Sequence, residues 1–280
     1  MRRVVAGACR PLVLLPLALL VVMSLDAQQA QRAGETRAHW IARQVQERDA
    51  GKDSRVSMRM TLVDRRGRLR ERALSLTGMQ GGPGRAVPGD RTLLHFTQPN
   101  DIRGTGFLVW EHPDADDERF LYLPSLGRVR RIAGSEAQES FVGSDFTFED
   151  IGGRELDDYA YTLLDENASW TAPGGSRHAA WRLESKSRDA GARFPRIVSL
   201  VRKDILIAVQ AEIFNRRNEK QKSFEAKRVE KVDGYWTVMA MTMADALEGT
   251  RTDLVVEKAE YDVGLKPADF SRVQLERGAR

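Results

Sequence analysis

Between Arg55 and Leu62 apolar and polar residues alternate without a break. Val56, Met58, Met60 and Leu62 fall on one side, and Arg55, Ser57, Arg59 and Thr61 on the other. A period of two marks a half-buried β-strand. Upstream the period is that of a helix: Ala38, Ile41, Ala42 and Val45 recur at helical spacing and Thr36 can cap the start. A helix over Thr36–Asp49, lying on a sheet by one narrow face, is predicted. Downstream, strand-like runs follow one another: Leu69–Thr77, Arg91–Thr97, Gly106–Glu111, Arg119–Leu123, Arg128–Ile132, Tyr159–Leu164, Trp181–Lys186, Arg196–Arg202, Ile205–Phe214, Phe224–Lys231, Tyr235–Ala244 and Thr250–Tyr261. Connections such as Lys203-Asp204 and Val232-Asp233-Gly234 are short enough to require antiparallel neighbours. Gly78–Gly89 reads as a flexible loop, and a further loop runs through Pro173-Gly174-Gly175. With about eleven or twelve short strands and few helices, the pattern predicts a mainly β protein, a sandwich or a barrel.

After Ile132 the pattern changes. Phe141, Phe146 and Phe148 are set among Gly143, Ser144, Asp145, Glu149 and Asp150, and Gly152-Gly153 closes the run. Ser144 or Asp145 can cap a helix start and the acids suit its first, solvated turn, so a short helical plug is predicted here. The strands before it are apolar on both faces: Phe107 and Val109 oppose Leu108 and Trp110, and Phe120 and Tyr122 oppose Leu121 and Leu123. A sheet with one wet face would be polar at alternate positions, so a second layer or a ligand has to cover each side. Gly104 and Gly106 precede a strand and not a helix, which suits a turn and a close backbone approach better than a phosphate cradle.

The runs GTGFLVWE, RFLYLPSLGRVRRI and SFVGSDFTFEDI, with the closing PADFSRVQL, resemble the LolA-like outer-membrane lipoprotein-sorting family. The similarity spans about Arg55 to Leu275 and is strongest between Arg91 and Ile151. It implies a single curved antiparallel sheet forming a half-open, unclosed β-barrel, with an N-terminal helix and the short plug over the concave face. It also implies a cavity for acyl chains. These motifs are structural, and no lipoprotein-specific residue can be matched, so the implied cargo is lipoprotein acyl chains or another envelope lipid. An inner-membrane transporter and an outer-membrane acceptor would be the partners of such a carrier.

Composition adjusts this picture at the amino terminus. Arg2 and Arg3 precede an apolar stretch, Pro11–Leu25, with Ala27 available for cleavage. That is the form of a secretory signal peptide, so residues 1–27 are expected to be removed, leaving 28–280 as one domain in the periplasm. Cys9, the only cysteine, lies before the apolar core, so a disulfide or a thiolate metal site is not expected in the exported chain. Without residues 1–27 the formal charge falls from +4 to +2. Basic clusters alternate with acids, which gives nucleic-acid binding little support. A monomer is expected.

Catalytic constellations of weight are absent from the sequence. His39, His95, His112 and His178 are scattered without metal-ligand spacing, and no serine sits in a G-x-S-x-G elbow, so neither an enzyme, a cofactor nor a metal is expected. The candidate lipid-binding residues, in a cavity or its lid, are Met58, Met60, Phe107, Trp110, Phe141, Phe146, Phe148, Met239 and Met241. Methionine adapts its shape to variable apolar contents, although each of these is equally suited to filling a core. A lipid or lipoprotein carrier is the expected function. Its closest rival is a sensor of the same fold that reports bound lipid to an envelope partner.

Overall fold

Why the pattern produces one sheet is clearest at its middle strand. The computed structural model describes residues 31–32 and 34–278; the expected signal peptide and its cleavage site lie outside them. Strand β1 (Asp53–Val63) pairs along its whole length with β2 (Leu69–Met79) on one side and β13 (Thr250–Tyr261) on the other. Met58 faces Leu74 and Val256, and Met60 faces Leu254, so the alternation of β1 becomes an apolar row across neighbours. From β2 the sheet continues through β3 (Arg91–Gln98), β4 (Gly106–Trp110), β5 (Glu118–Leu123) and β6 (Arg128–Ile132). From β13 it continues through β12 (Tyr235–Asp245), β11 (Lys220–Val232), β10 (Ile207–Phe214), β9 (Arg196–Arg202), β8 (Arg177–Ser187) and β7 (Tyr159–Thr171). All thirteen strands form one antiparallel sheet whose end strands, β6 and β7, do not pair, so it stays half-open.

The inner face is defined by what packs on it. One apolar cluster draws Leu94, Phe107, Leu121 and Ile132 from one half of the sheet and Tyr159, Ile197, Ile213 and Met243 from the other. Strands so far apart in order meet only if the sheet curls around them. Helix α1 (Arg37–Gln46) covers the β7–β9 end, where Ala38, Ile41 and Ala42 bury against Trp181, Leu183 and Val201. Its Thr36 cap accepts from the His39 amide at 3.2 Å. Glu35 is tied to Arg43 at 2.8 Å, and that bond, aided by His39, holds its carboxyl far below the usual range. Helix α2 (Phe148–Gly152) belongs to the plug, described below.

The two-faced strands β3–β5 are covered on both sides, as their sequence requires. On the outer face Leu93, Leu108 and Phe120 pack under Phe270 and under Leu275 of α3 (Arg272–Arg277). The Trp110 indole N–H donates to the Phe270 carbonyl at 2.7 Å, and a His95 ring nitrogen lies 3.0 Å from the Leu275 carbonyl oxygen. Gly106 makes this contact possible, because a Cβ there would stand 2.7 Å from Leu275 Cδ1 and 2.9 Å from the His95 ring.

The differences from the sequence reading are local. Each of the thirteen strands answers one run named in the sequence, where the rounded count is eleven or twelve, and the carboxyl tail carries a helix. Six residues are too few to display a helical period; what starts α3 is Ser271, whose hydroxyl accepts from the Gln274 amide. Strand β7 runs well past Leu164 because Asp165, Glu166 and Asn167 sit in two irregularities of its ladder with β8, which interrupt the apolar alternation. The expected loop at Gly78 starts later. Gly78 and Met79 still pair with β1, and within the loop Val87 is buried in the outer cluster.

Candidate functional site

The chain between β6 and β7 crosses the inner face as the plug. Phe141 is fully buried, 5.9 Å from Phe96 in a stacked arrangement and edge-on to Phe107 at 5.4 Å and Phe148 at 5.6 Å. Ring pairs at such spacings add specific attraction to the area they bury. A small loop sets them: the Phe141 amide donates to the Phe146 carbonyl at 2.8 Å, and the Ser144 hydroxyl to the Phe141 carbonyl at 2.8 Å. Gly152 lets α2 settle on β4, since a Cβ there would stand 2.9 Å from Val109 Cγ2.

Neither Ser144 nor Asp145 caps α2. Thr147 does, accepting from the Asp150 amide at 3.1 Å while Asp150 accepts from the Thr147 amide at 2.8 Å. A reciprocal capping box satisfies two otherwise orphaned donors. The three acids are also not solvated as expected; they clasp the plug to the sheet. Asp145 accepts from the Thr252 hydroxyl at 2.6 Å and from Thr250, and its carbonyl accepts from Lys222 Nζ at 2.7 Å. Burial pulls the Lys222 ammonium below its usual pKa. On the other flank, Glu149 accepts from Arg154 at 3.2 Å, from Gln138 at 3.3 Å and from the Tyr159 hydroxyl at 3.3 Å, and Arg154 also pairs with Asp150. Burial disfavours the Arg154 cation, but Asp150 and Glu149 outweigh it and hold the guanidinium more firmly charged than usual. The plug's apolar side thus faces the sheet and its polar side is pinned at both ends.

Of the nine candidate residues, Met58, Met60, Phe107, Phe141, Phe146, Phe148 and Met239 are buried in the inner cluster and Met241 packs against it. Trp110 lies on the outer face beneath the carboxyl tail. The clasp partners Lys222, Thr250, Thr252, Arg154, Tyr159 and Gln138 went unnoticed in sequence. The available signal was the presence of three acids in an aromatic segment that otherwise belongs inside.

Two recesses flank the plug. One, of about 770 Å³, opens between the sheet ends and is walled by Arg119, Ile132, Glu149, Arg154, Glu155 and Tyr159. The other, of about 420 Å³, lies between the end of α1 and the plug, with Val45, Leu76, Thr92, Glu111 and Ile151 in its wall. Gly153 and Arg154 border both. Burial, reinforced by the nearby Asp90 and Asp117 carboxylates, pushes the Glu111 carboxyl up to about 8. A carboxyl raised on folding stabilises the fold most below its unfolded value, near 4.5, and that contribution is lost as pH rises through about 8. Glu111→Gln should therefore melt close to the parent at about pH 5 and clearly above it at about pH 9. Equal melting shifts at both pH values would show that Glu111 is not the group responsible.

Among the described residues, no group of three or more His, Cys, Asp or Glu side chains is placed to hold a metal ion. The four histidines stand apart: His39 binds Glu35, His112 binds Glu118, His178 lies against Trp170, and His95 is under the tail.

The curled, unclosed antiparallel sheet with a helix and a plug on its inner face is a fold shared with other solved structures. A LolA superfamily protein from Nitrosomonas europaea superposes with a TM-score of 0.62 at 14% identity, over 84% of this chain and 96% of its own. Nearer in sequence are two other solved structures. A DUF1329 family protein from Desulfovibrio piger is 30% identical, with a TM-score of 0.74, over 85% of this chain and 97% of its own. A domain from Vibrio parahaemolyticus, provisionally named an outer membrane lipoprotein-sorting protein, is 27% identical with a TM-score of 0.75, over 86% of this chain and 98% of its own. A family model described as "Uncharacterized protein" matches residues 88–277. With more than half of the chain matched by that model and a relative of 30% identity covered almost end to end, the chain belongs to the DUF1329 family. No curated protein matches its sequence.

Proposed function

We propose that this protein is a periplasmic carrier that takes the acyl chains of lipoproteins or other envelope lipids onto its inner face and moves them between the inner and outer membranes. The observation that carries this reading is the plug. Its underside is aromatic and packs on Phe107, it shares one apolar cluster with Met58, Met60 and Met239, and it is pinned by polar contacts at its two flanks instead of being woven into the sheet. An acyl chain that displaced the three rings would meet the same methionine-lined surface. Each buried methylene is worth roughly 0.8 kcal/mol, so a sixteen-carbon chain resists leaving a bilayer by about 12 kcal/mol, and the apolar inner face has to return a comparable amount. The name given to the Vibrio parahaemolyticus domain supports this class of cargo. No step of the proposed cycle makes or breaks a covalent bond. The sequence reading gives the periplasm as its compartment, and an inner-membrane donor and an outer-membrane acceptor as its partners.

Native mass spectrometry of protein purified without detergent tests the proposal. Intact co-purified lipid is expected, exchangeable with a fluorescent fatty acid, and Phe146→Ala/Phe148→Ala should release that probe faster. A protein that neither retains lipid nor takes up the probe is not a carrier. Recovery of cleaved lipid would indicate a hydrolase, and retention without transfer to acceptor vesicles would favour a sensor.

A further inference from the structure

One end of the half-open sheet carries a basic rim, and we propose that this end docks on an anionic membrane surface. Three hairpin tips come together there. The β1–β2 turn and the start of β2 read Asp64-Arg65-Arg66-Gly67-Arg68-Leu69-Arg70, the β10–β11 turn adds Arg216 and Arg217, the latter paired with Glu219 at 3.1 Å, and the β12–β13 turn adds Leu247. The β1–β2 and β12–β13 tips are in direct proximity, since a Cβ on Gly249 would lie 3.5 Å from Arg65 Cβ, and the ladder of β11 with β12 puts the β10–β11 turn at the same end. Asp64 and Arg70 share a recess of about 220 Å³ with Gly143 and Ser144 of the plug tip, Arg193 and Glu248. The tip of the plug therefore opens onto the same end.

Charge and exposure there fit a lipid surface. Arg68 is paired with Asp64 at 2.6 Å, but Arg65, Arg66 and Arg70 are exposed and have no ion-pair partner among the described residues. Beside them Leu69 is 61% and Leu247 54% exposed, among the most exposed large apolar side chains of the described residues. Arginines that reach headgroup phosphates, with leucines set to enter the interface, are the two components of peripheral membrane binding. At the opposite end the β2–β3 loop carries Arg85, but the β4–β5 connection holds Asp114, Asp116 and Asp117 and no lysine or arginine. That asymmetry gives the docked molecule an orientation, with the plug tip toward the bilayer. The inference concerns where the molecule sits and holds whichever lipid, if any, it carries.

Flotation of the full chain with vesicles of phosphatidylcholine alone, or of phosphatidylcholine with about 30% phosphatidylglycerol, tests it. Binding to the neutral vesicles reports the apolar amino-terminal stretch, which every variant shares. Additional binding to the anionic vesicles is expected, and about 0.5 M salt should abolish the excess. Arg65→Glu/Arg66→Glu should lower that excess by about thirtyfold or more, since each arginine near an anionic surface contributes about a fivefold effect. These side chains are exposed, so an unchanged melting temperature is the check on folding. Leu69→Asp/Leu247→Asp should also weaken that excess at low salt. Asp114→Lys, at the far end, should leave it unchanged. Equal binding to both vesicle types overturns the proposal, as does a parent-like Arg65→Glu/Arg66→Glu. A response to Asp114→Lys as large as that to the arginine pair would leave only general charge attraction and overturn the docking face.

Discussion

Phe141→Ala should lower the free energy of unfolding by about 3–5 kcal/mol, the largest loss expected from any single plug residue. The ring is completely buried and touches three others: Phe96 and Phe107 on the sheet and Phe148 within the plug. Removing it leaves a void that three separate elements would have to move to fill, and dense interiors relax only partly. Phe146 and Phe148 are also buried, but among the described residues the only ring pairs either makes are those of Phe148 with Phe107 and Phe141. Urea unfolding gives the stability, and release of a bound fluorescent fatty acid gives the closure. If the plug is a lid, the Phe146→Ala/Phe148→Ala pair keeps its cooperative unfolding and loses retention. If it is only core, the stability falls and release from the surviving folded molecules is unchanged.

How much of this was legible in the sequence follows from where the forces act. The two-residue period of β1 and the two-sided apolar strands β3–β5 are local properties, and they announced a sheet covered on both faces. The resemblance added the half-open closure, which no local pattern carries, because β1 meets β13 across nearly two hundred residues. Chemistry between distant segments stayed hidden for the same reason. Asp145 finds Thr252, and Glu149 finds Tyr159, only after the sheet has curled. In sequence those acids look like solvated helix-start residues, since acids near a helix start are favoured by position alone. Trp110 was grouped with the inner residues on hydrophobicity, although its place in the alternation, opposite Phe107 and Val109, sends it to the outer face.

The clasp gives the second large effect. Arg154→Ala should destabilise the fold by about 2–4 kcal/mol, more than loss of a rim ion pair would, because Glu149 and Asp150 are left behind with side chains only 10% and 8% exposed. Asp150 keeps the Thr147 amide and Glu149 keeps the Tyr159 hydroxyl, so both carboxylates remain held in place without the cation that compensated them. The cost therefore falls on the unpaired acids and not on the missing arginine. The variant E149Q/D150N/R154M should recover much of the loss, since an apolar and amide cluster of similar volume buries no unpaired charge. Comparing thermal and urea unfolding of the two variants checks this. Equal destabilisation would mean that the pairing itself holds the plug, and a parent-like Arg154→Ala would mean that water already screens the cluster. Because Arg154 borders both recesses beside the plug, the same pair of variants also bears on opening. Arg154→Ala should speed release of a bound fatty acid, and the neutralised triple variant should return it toward the parental rate.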